Sequence, residues 1–328
     1  MRTALHSVIL IVFSVALFAV QFPRSSPAET ARIVGHVQDD GGLIIQIDGK
    51  PFARYVFKDE KILRPCFCNV HAPCGVQITR NHPPVEGVDS TDHAEMHPGM
   101  WLAFGDINGE DFWRNRGRVF STLQEPFRCE ANNGYFQVKN RYVSSRDENV
   151  ICEELCRYRI VVGPESYFLV SRSSFSSDKN DFVFGDQEEM GFGVRVATPI
   201  SVKSGGVIRN SDGFTNEARA WGKQADWCMY AGIMDGRHVG VTIIPSPGNF
   251  RRSWFHARDY GLLVANPFGR NAFTQGERSR VVVKKGEQFE LVFGVLIRSG
   301  TEPFPGGMDL RDMDVSLLSI PEGMNSRK

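Results

Sequence analysis

Apolar and polar residues alternate with a period of two along most of this chain, in short runs separated by turn residues. Residues 32–37, 43–47 and 52–57 are three such runs, and Asp48-Gly49 between the last two is a hairpin signal. Asn133-Gly134 precedes the alternating run 135–143, and Gly163-Pro164 divides 157–162 from 167–171. Asp235-Gly236 divides 227–234 from 237–244, and Lys285-Gly286 divides 280–284 from 288–297. The 3.6-residue period of an amphipathic helix is nearly absent, and its best candidate, 309–318, is short. Many short strands punctuated by glycine, asparagine and aspartate predict an all-β fold. At this length a large antiparallel sandwich of two sheets is expected.

The first 28 residues depart from this pattern. Arg2 supplies a positive start, residues 8–20 are an unbroken apolar or small run, and Ser26-Pro27-Ala28 places small residues at a cleavage site. That run has the length of a signal-peptide core and is short for a membrane span. The expectation is a signal peptide over 1–28, one domain over 29–328, and an exported protein, periplasmic or extracellular. An uncleaved signal anchor is the alternative.

Charge and cysteine content narrow the classes further. Lysine plus arginine equal aspartate plus glutamate at 38 each, with the signs interspersed, which argues against nucleic-acid or membrane-surface binding. Seven cysteines (66, 68, 74, 129, 152, 156 and 228) leave at least one thiol unpaired within a monomer. Cys66-Phe-Cys68 lacks the spacing and the second ligand pair of a structural zinc site, so these cysteines are expected to be buried or disulfide-bonded. There is no nucleophile elbow, no phosphate-binding glycine loop, no HExxH and no GxGxxG.

Candidate chemistry concentrates in four stretches. Residues 92–113 hold two histidines, five carboxylates, an asparagine and two tryptophans. His93 and His97 would share a face on a helical turn and could bind one metal, but Pro98-Gly99 favours a loop feeding a strand. Asp106 and Asn108 either close an Asx turn or face a cleft with Trp101 beside them, the composition of a sugar site. In 254–269, a strand would send His256 and Arg258 to one side, where they could hold a carboxylate or polarise a carbonyl, and Asp259 to the other. Residues 184–197 cluster acids ahead of an alternating run that includes Arg195. There Asp186 or Glu188, shielded by Phe184 and Phe192, is a candidate base. Residues 221–228 add Trp221 and Lys223, and Arg64 lies upstream. Each of these also has a purely structural reading, as a turn acid, an ion pair or a core aromatic.

Taken in order, these blocks form a pattern: RPxF at 64–67, GVxITRN at 75–81, DHxxxHxGxWxAxGDINGxDFW at 92–113, FGDxExxGFGVRVA at 184–197, WGKxAxWCxYAG at 221–232 and WFHxRDYGLxxANPFG at 254–269. This order resembles the soluble, exported bacterial "PmoA-like" family of unknown function, over about residues 64–295. Met96-His97 departs from the resemblance, which implies adjacent histidines there. A membrane monooxygenase subunit, to which the label alludes, would need several long apolar spans that this sequence lacks. The resemblance implies a β-rich fold similar to the galactose-mutarotase-like supersandwich, whose members bind or transform carbohydrates with histidines and carboxylates on a concave sheet.

The resulting expectation is an exported carbohydrate-active protein doing epimerase, lyase or hydrolase acid/base chemistry on a sugar. His93, His97, Asp106, Glu188, His256 and Arg258 are the catalytic candidates. Arg64, Trp101, Asn108, Asp186, Arg195, Trp221, Lys223 and Asp259 are the substrate-binding candidates. No metal site is assigned and any cofactor is left open. A non-catalytic sugar-binding protein and a metal-dependent oxygenase are the alternatives.

Overall fold

Two antiparallel sheets pack face to face in the computed structural model, which describes residues 30–304 and 318–320. The signal peptide expected over 1–28, and all of the helix expected over 309–318 except Leu318, lie outside the described residues. The larger sheet has nine strands, in spatial order Ile33–Val37, Gly42–Ile47, Lys50–Val56, Cys66–Cys68, Met100–Phe104, Met190–Arg195, Leu262–Asn266, Trp254–Arg258 and Lys223–Gln224. The other has eight: Val207–Asn210, Cys228–Met234, Arg237–Pro245, Gln288–Gly300, Ser166–Ser176, Val150–Gly163, Asn133–Val143 and Arg118–Glu130. Phe182–Phe184 and Val281–Val283 form a separate two-stranded ribbon. The fold is the expected all-β sandwich.

Alternation decides which residues meet between the sheets. Tyr55 of the first sheet packs its ring 5.4 Å from both Phe136 and Tyr158 of the second, and Phe104 packs 5.4 Å from Phe175. Interleaved positions of the nine-stranded sheet, among them Val56, Cys66, Cys68, Trp101, Ala103, Leu262 and Val264, form a second apolar cluster with Trp113 on the opposite, outer face.

Asp48-Gly49 and Asp235-Gly236 close hairpins with both residues at positive φ, as a type I′ turn requires. Asn133-Gly134 does not. The turn falls on Ala131-Asn132, and Asn133 already pairs with Glu130. Gly134 serves a close approach instead, because a Cβ there would lie 2.5 Å from the Phe127 ring. The runs flanking Lys285-Gly286 do not pair with each other: one joins the ribbon and the other the eight-stranded sheet. All seven cysteines are free, and five of them are buried.

The Glu154 carboxylate lies inside the sandwich. Glu154 accepts hydrogen bonds from Asn140 Nδ2 (2.9 Å), the Tyr142 hydroxyl (2.9 Å) and Ser173 Oγ (2.5 Å). Burial raises its pKa despite these donors. A carboxyl group whose folded pKa is raised contributes stability that is full below its unfolded value and is lost as pH rises through the folded one. Glu154→Gln is therefore expected to raise the thermal midpoint relative to the wild type more at neutral than at acidic pH. An unchanged slope in a pH series of melts would show that Glu154 is ionised throughout.

Candidate functional site

Strand register carries four of the expected residues onto the outer face of the nine-stranded sheet. Trp101, Gly193, Val264 and His256 are consecutive cross-strand partners, and Arg195, Leu262 and Arg258 form the next row. Gly193 is small for a reason: a Cβ there would lie 2.9 Å from the Trp101 ring, so glycine lets the indole lie flat on the sheet.

Three buried arginines fasten the loop that covers this floor. Arg80 donates to the carbonyls of Ser90 (2.8 Å), Asp92 (2.6 Å) and His97 (2.8 Å). Arg64 donates to the Trp113 carbonyl at 2.8 Å, to Asn115 Oδ1 at 3.0 Å and to the Met96 carbonyl. Arg195 grips the Asp92 carboxylate with two parallel bonds of 2.9 and 2.6 Å. The His97 amide donates to the His93 carbonyl (3.0 Å), closing one turn that sets the two imidazoles on one face.

A column of four rings results. Tyr260, His93, His97 and Trp101 stack with successive centroid spacings of 5.6, 4.9 and 5.4 Å and interplanar angles of 14°, 18° and 14°. Trp113 meets Trp101 edge-on at 5.2 Å, and the Arg195 guanidinium lies 4.6 Å from the Tyr260 ring centre. His97 is 1% exposed and neither ring nitrogen has a hydrogen-bond partner. Burial, then the Arg195 charge, holds its pKa well below the ordinary value, so it is a neutral ring in a stack. His93, between Tyr260 and His97, is 40% exposed, with Nδ1 2.8 Å from the Asp92 carboxylate.

The second half of the site is built around Arg258. Its Nε donates to His256 Nε2 (2.8 Å), its Nη1 to Glu217 (2.8 Å) and its Nη2 to Glu188 at 3.5 Å. Burial alone would lower the Arg258 pKa, but the Glu217 bond and the Glu188 charge hold it above its ordinary value. His256 is pushed down to about 3 by burial, then by Arg258, with the Glu188 backbone opposing. Its Nε2 is therefore a bare acceptor, and the ring positions the guanidinium rather than a proton. Glu217 and Asp259 hold each other: the Glu217 amide donates to Asp259 (2.8 Å) and the Asp259 amide to Glu217 (3.0 Å). The two halves are in electrical contact, since His93 lowers the His256 pKa and also acts on Glu189.

Other expected residues do not join this cluster. Asp186 spends its carboxylate on the backbone amides of Asn271 (2.8 Å), Ala272 (3.0 Å) and Ser279 (2.6 Å), so it caps a short helix and is not a free base. Asp106 makes the Asx turn to the Gly109 amide (2.8 Å), and Asn108 accepts from Val183 (2.8 Å); both line another cleft, with Arg278 and Arg280. Lys223 is an exposed side chain on the terminal strand. Trp101, Arg64 and Arg195 are at the site but fully buried, so they support it and cannot touch a ligand. Trp221 lies half-buried, 5.6 Å from the Arg258 guanidinium. Sequence reasoning missed Glu217, which arrives on the short helix Asn216–Ala220 with no spacing to advertise it. It also passed over Tyr260, although the alternation that aligned His256 with Arg258 reaches it next.

A model described as a family of unknown function (DUF6807) matches residues 43–303. No curated protein matches the chain. A galactose mutarotase-like protein from Clostridium acetobutylicum is 9% identical, over 83% of this chain and 99% of its own, with a TM-score of 0.42. An α-galactosidase from Geobacillus stearothermophilus is 11% identical over 83% of this chain and 41% of its own, TM-score 0.41. A glycoside hydrolase from Pseudoalteromonas is 10% identical over 92% and 38%, TM-score 0.38. The chain thus spans under half the length of the two hydrolases. From the span of the family match, the chain belongs to DUF6807, a family of unknown function.

Proposed function

We propose that the outer face of the nine-stranded sheet binds a neutral, hydroxyl-rich ring of sugar type and moves protons on it, with His93 and Glu188 as the acid/base pair. The observation that carries this reading is that both groups are fixed by partners yet open to solvent over one buried floor. His93 is held through Nδ1 by Asp92, which leaves Nε2 as the atom to exchange a proton; Glu188 is held by Arg258 and is 35% exposed. Charges largely compensate within the cluster. Five guanidiniums face five carboxylates: Arg258 faces Glu188 and Glu217, Arg195 and Arg80 face Asp92, Arg114 faces Asp111 and Glu189, and buried Arg64 lies within the field of Asp111 and Glu189. A site so balanced favours a neutral ligand over an ionic one, while half-buried Tyr260 and Trp221 offer apolar edges to a sugar ring. Export through the leader at 1–28 is part of the same reading.

The oxygenase chemistry that the PmoA label suggests has a weaker basis. His93 and His97 lie 18° from parallel in a stack, so their in-plane lone pairs do not converge on one ion.

The test is an exchange assay. Interconversion of the anomers of galactose, glucose and xylose is followed by proton NMR, with saturation-transfer measurements reporting binding. The wild type is expected to accelerate exchange for at least one sugar, and His93→Gln and Glu188→Gln are each expected to lose about tenfold or more while still binding it. Binding without exchange at any pH would make the protein a non-catalytic sugar binder. No binding of any mono- or disaccharide would overturn the proposal.

A further inference from the structure

A second, differently built cleft lies on the outer face of the eight-stranded sheet, at its terminal strand. It has a volume of about 500 Å³ and is lined by Leu63, Gly117, Val143, Val150 and the serines 144 and 145, with Arg116, Arg118, Arg141, Phe120 and Glu148 at its sides. None of these residues belongs to the site described above.

Phe120 leaves 42% of its surface exposed at this cleft. Alternation explains why it points outward: Val119 is in the core, so Arg118 and Phe120 flank it on the solvent side. Arg141 is the direct cross-strand partner of Phe120. The guanidinium carbons of Arg118 and Arg141 sit 5.8 and 5.9 Å from the Phe120 ring centre, at the outer edge of cation–π range, so both cations and the ring border one cleft. Neither these two nor Arg116 has a carboxylate partner among the described residues. Glu153, the register partner of Arg141, pairs with Lys139 at 2.8 Å instead. Three arginines against the one carboxylate of Glu148 leave this cleft with a net positive charge, on a chain whose total charge is zero.

We infer that this cleft is a binding site for an acidic saccharide, one bearing carboxylate or sulfate groups. Arg118 and Arg141 take the anionic group in bidentate hydrogen bonds, and a sugar ring lies on the exposed Phe120 face over the apolar floor. The aromatic face sets a saccharide apart from ligands that need charge alone, such as an acidic peptide. The inference does not rest on the chemistry proposed for the other site.

Calorimetric titration of the full chain with trigalacturonate and with a chondroitin sulfate tetrasaccharide tests it and distinguishes carboxylate from sulfate. Maltotriose and hexaglutamate are the neutral and the non-sugar controls. Saturable binding of one acidic saccharide is expected, weakened by salt and weakened about tenfold or more in Arg118→Gln/Arg141→Gln. Phe120→Ala is expected to lose a similar factor for the saccharide but none for hexaglutamate. Circular dichroism confirms that these surface variants fold. Absence of binding by the wild type, equal binding of maltotriose or hexaglutamate, or undiminished binding in the double variant would each overturn the inference.

Discussion

Arg195→Met is expected to destabilise the protein by about 3 kcal/mol, the low end of the range for breaking a buried ion pair. The side chain is 1% exposed and makes both bonds to Asp92, and the Tyr260 ring lies against it. Removing the cation strands a carboxylate that Ser90 and His93 also hold and that is 34% exposed. Those partners are why the loss falls short of the maximum. Asp92→Asn leaves the opposite and worse situation, a fully buried guanidinium facing no charge. The double variant should then lose less than the sum of the singles, because each single change includes the cost of the partner it orphans. Urea unfolding followed by tryptophan fluorescence measures all three. It also reports the site directly, since Trp101 and Trp113 stack with the loop that Asp92 anchors. If Arg195→Met unfolds at the wild-type midpoint, the pair does not hold the loop, and the placement of His93 loses its support.

The same residues show where sequence reading stops. Period-two alternation placed strands such as Val150–Gly163 because they bury one face, and that constraint is local. Asp-Gly hairpins were legible for the same reason, while Asn133-Gly134 misled because its glycine answers to Phe127, a packing partner on the preceding strand. His256 and Arg258 could be set on one side from spacing alone. That Trp101 and Arg195 would join them could not, because their strands become neighbours only through the non-local sheet order. Asp186 is the clearest failure. An acid ahead of a strand looks free, yet its partners lie at 271, 272 and 279, and nothing near Asp186 signals amides waiting so far down the chain. The burial of His97 was not legible either. The histidine–proline–glycine context suggested a loop feeding a strand and carried no sign that Arg64, Arg80 and Arg195 clamp that loop onto the sheet.

Acid should weaken the fold through the two buried imidazoles of this site. His97 and His256 are buried as neutral rings, with the His256 pKa lowered from 6.5 to about 3 and that of His97 well below its ordinary value. Both depressions have burial as their first cause and an arginine charge as their second. For a group with a depressed folded pKa, the unfolded chain takes up the proton first. Its contribution to stability is therefore full above pH 6.5 and is lost as pH falls from there toward about 3. At about 1.4 kcal/mol per unit, His256 alone accounts for a loss on the order of 5 kcal/mol across that window. Glu154 works against this trend, since its raised pKa favours the fold as pH falls. His256→Gln keeps an acceptor for Arg258 without a titrating ring. His97→Phe keeps a ring in the stack and removes two nitrogens that have no partners, so it should be neutral or stabilising at pH 7. Together the two changes should move the midpoint of acid unfolding down by about one pH unit or more, read from tryptophan fluorescence. A double variant that unfolds in acid where the wild type does would show that both imidazoles accept protons inside the fold, and the neutral acceptor assigned to His256 would go with them.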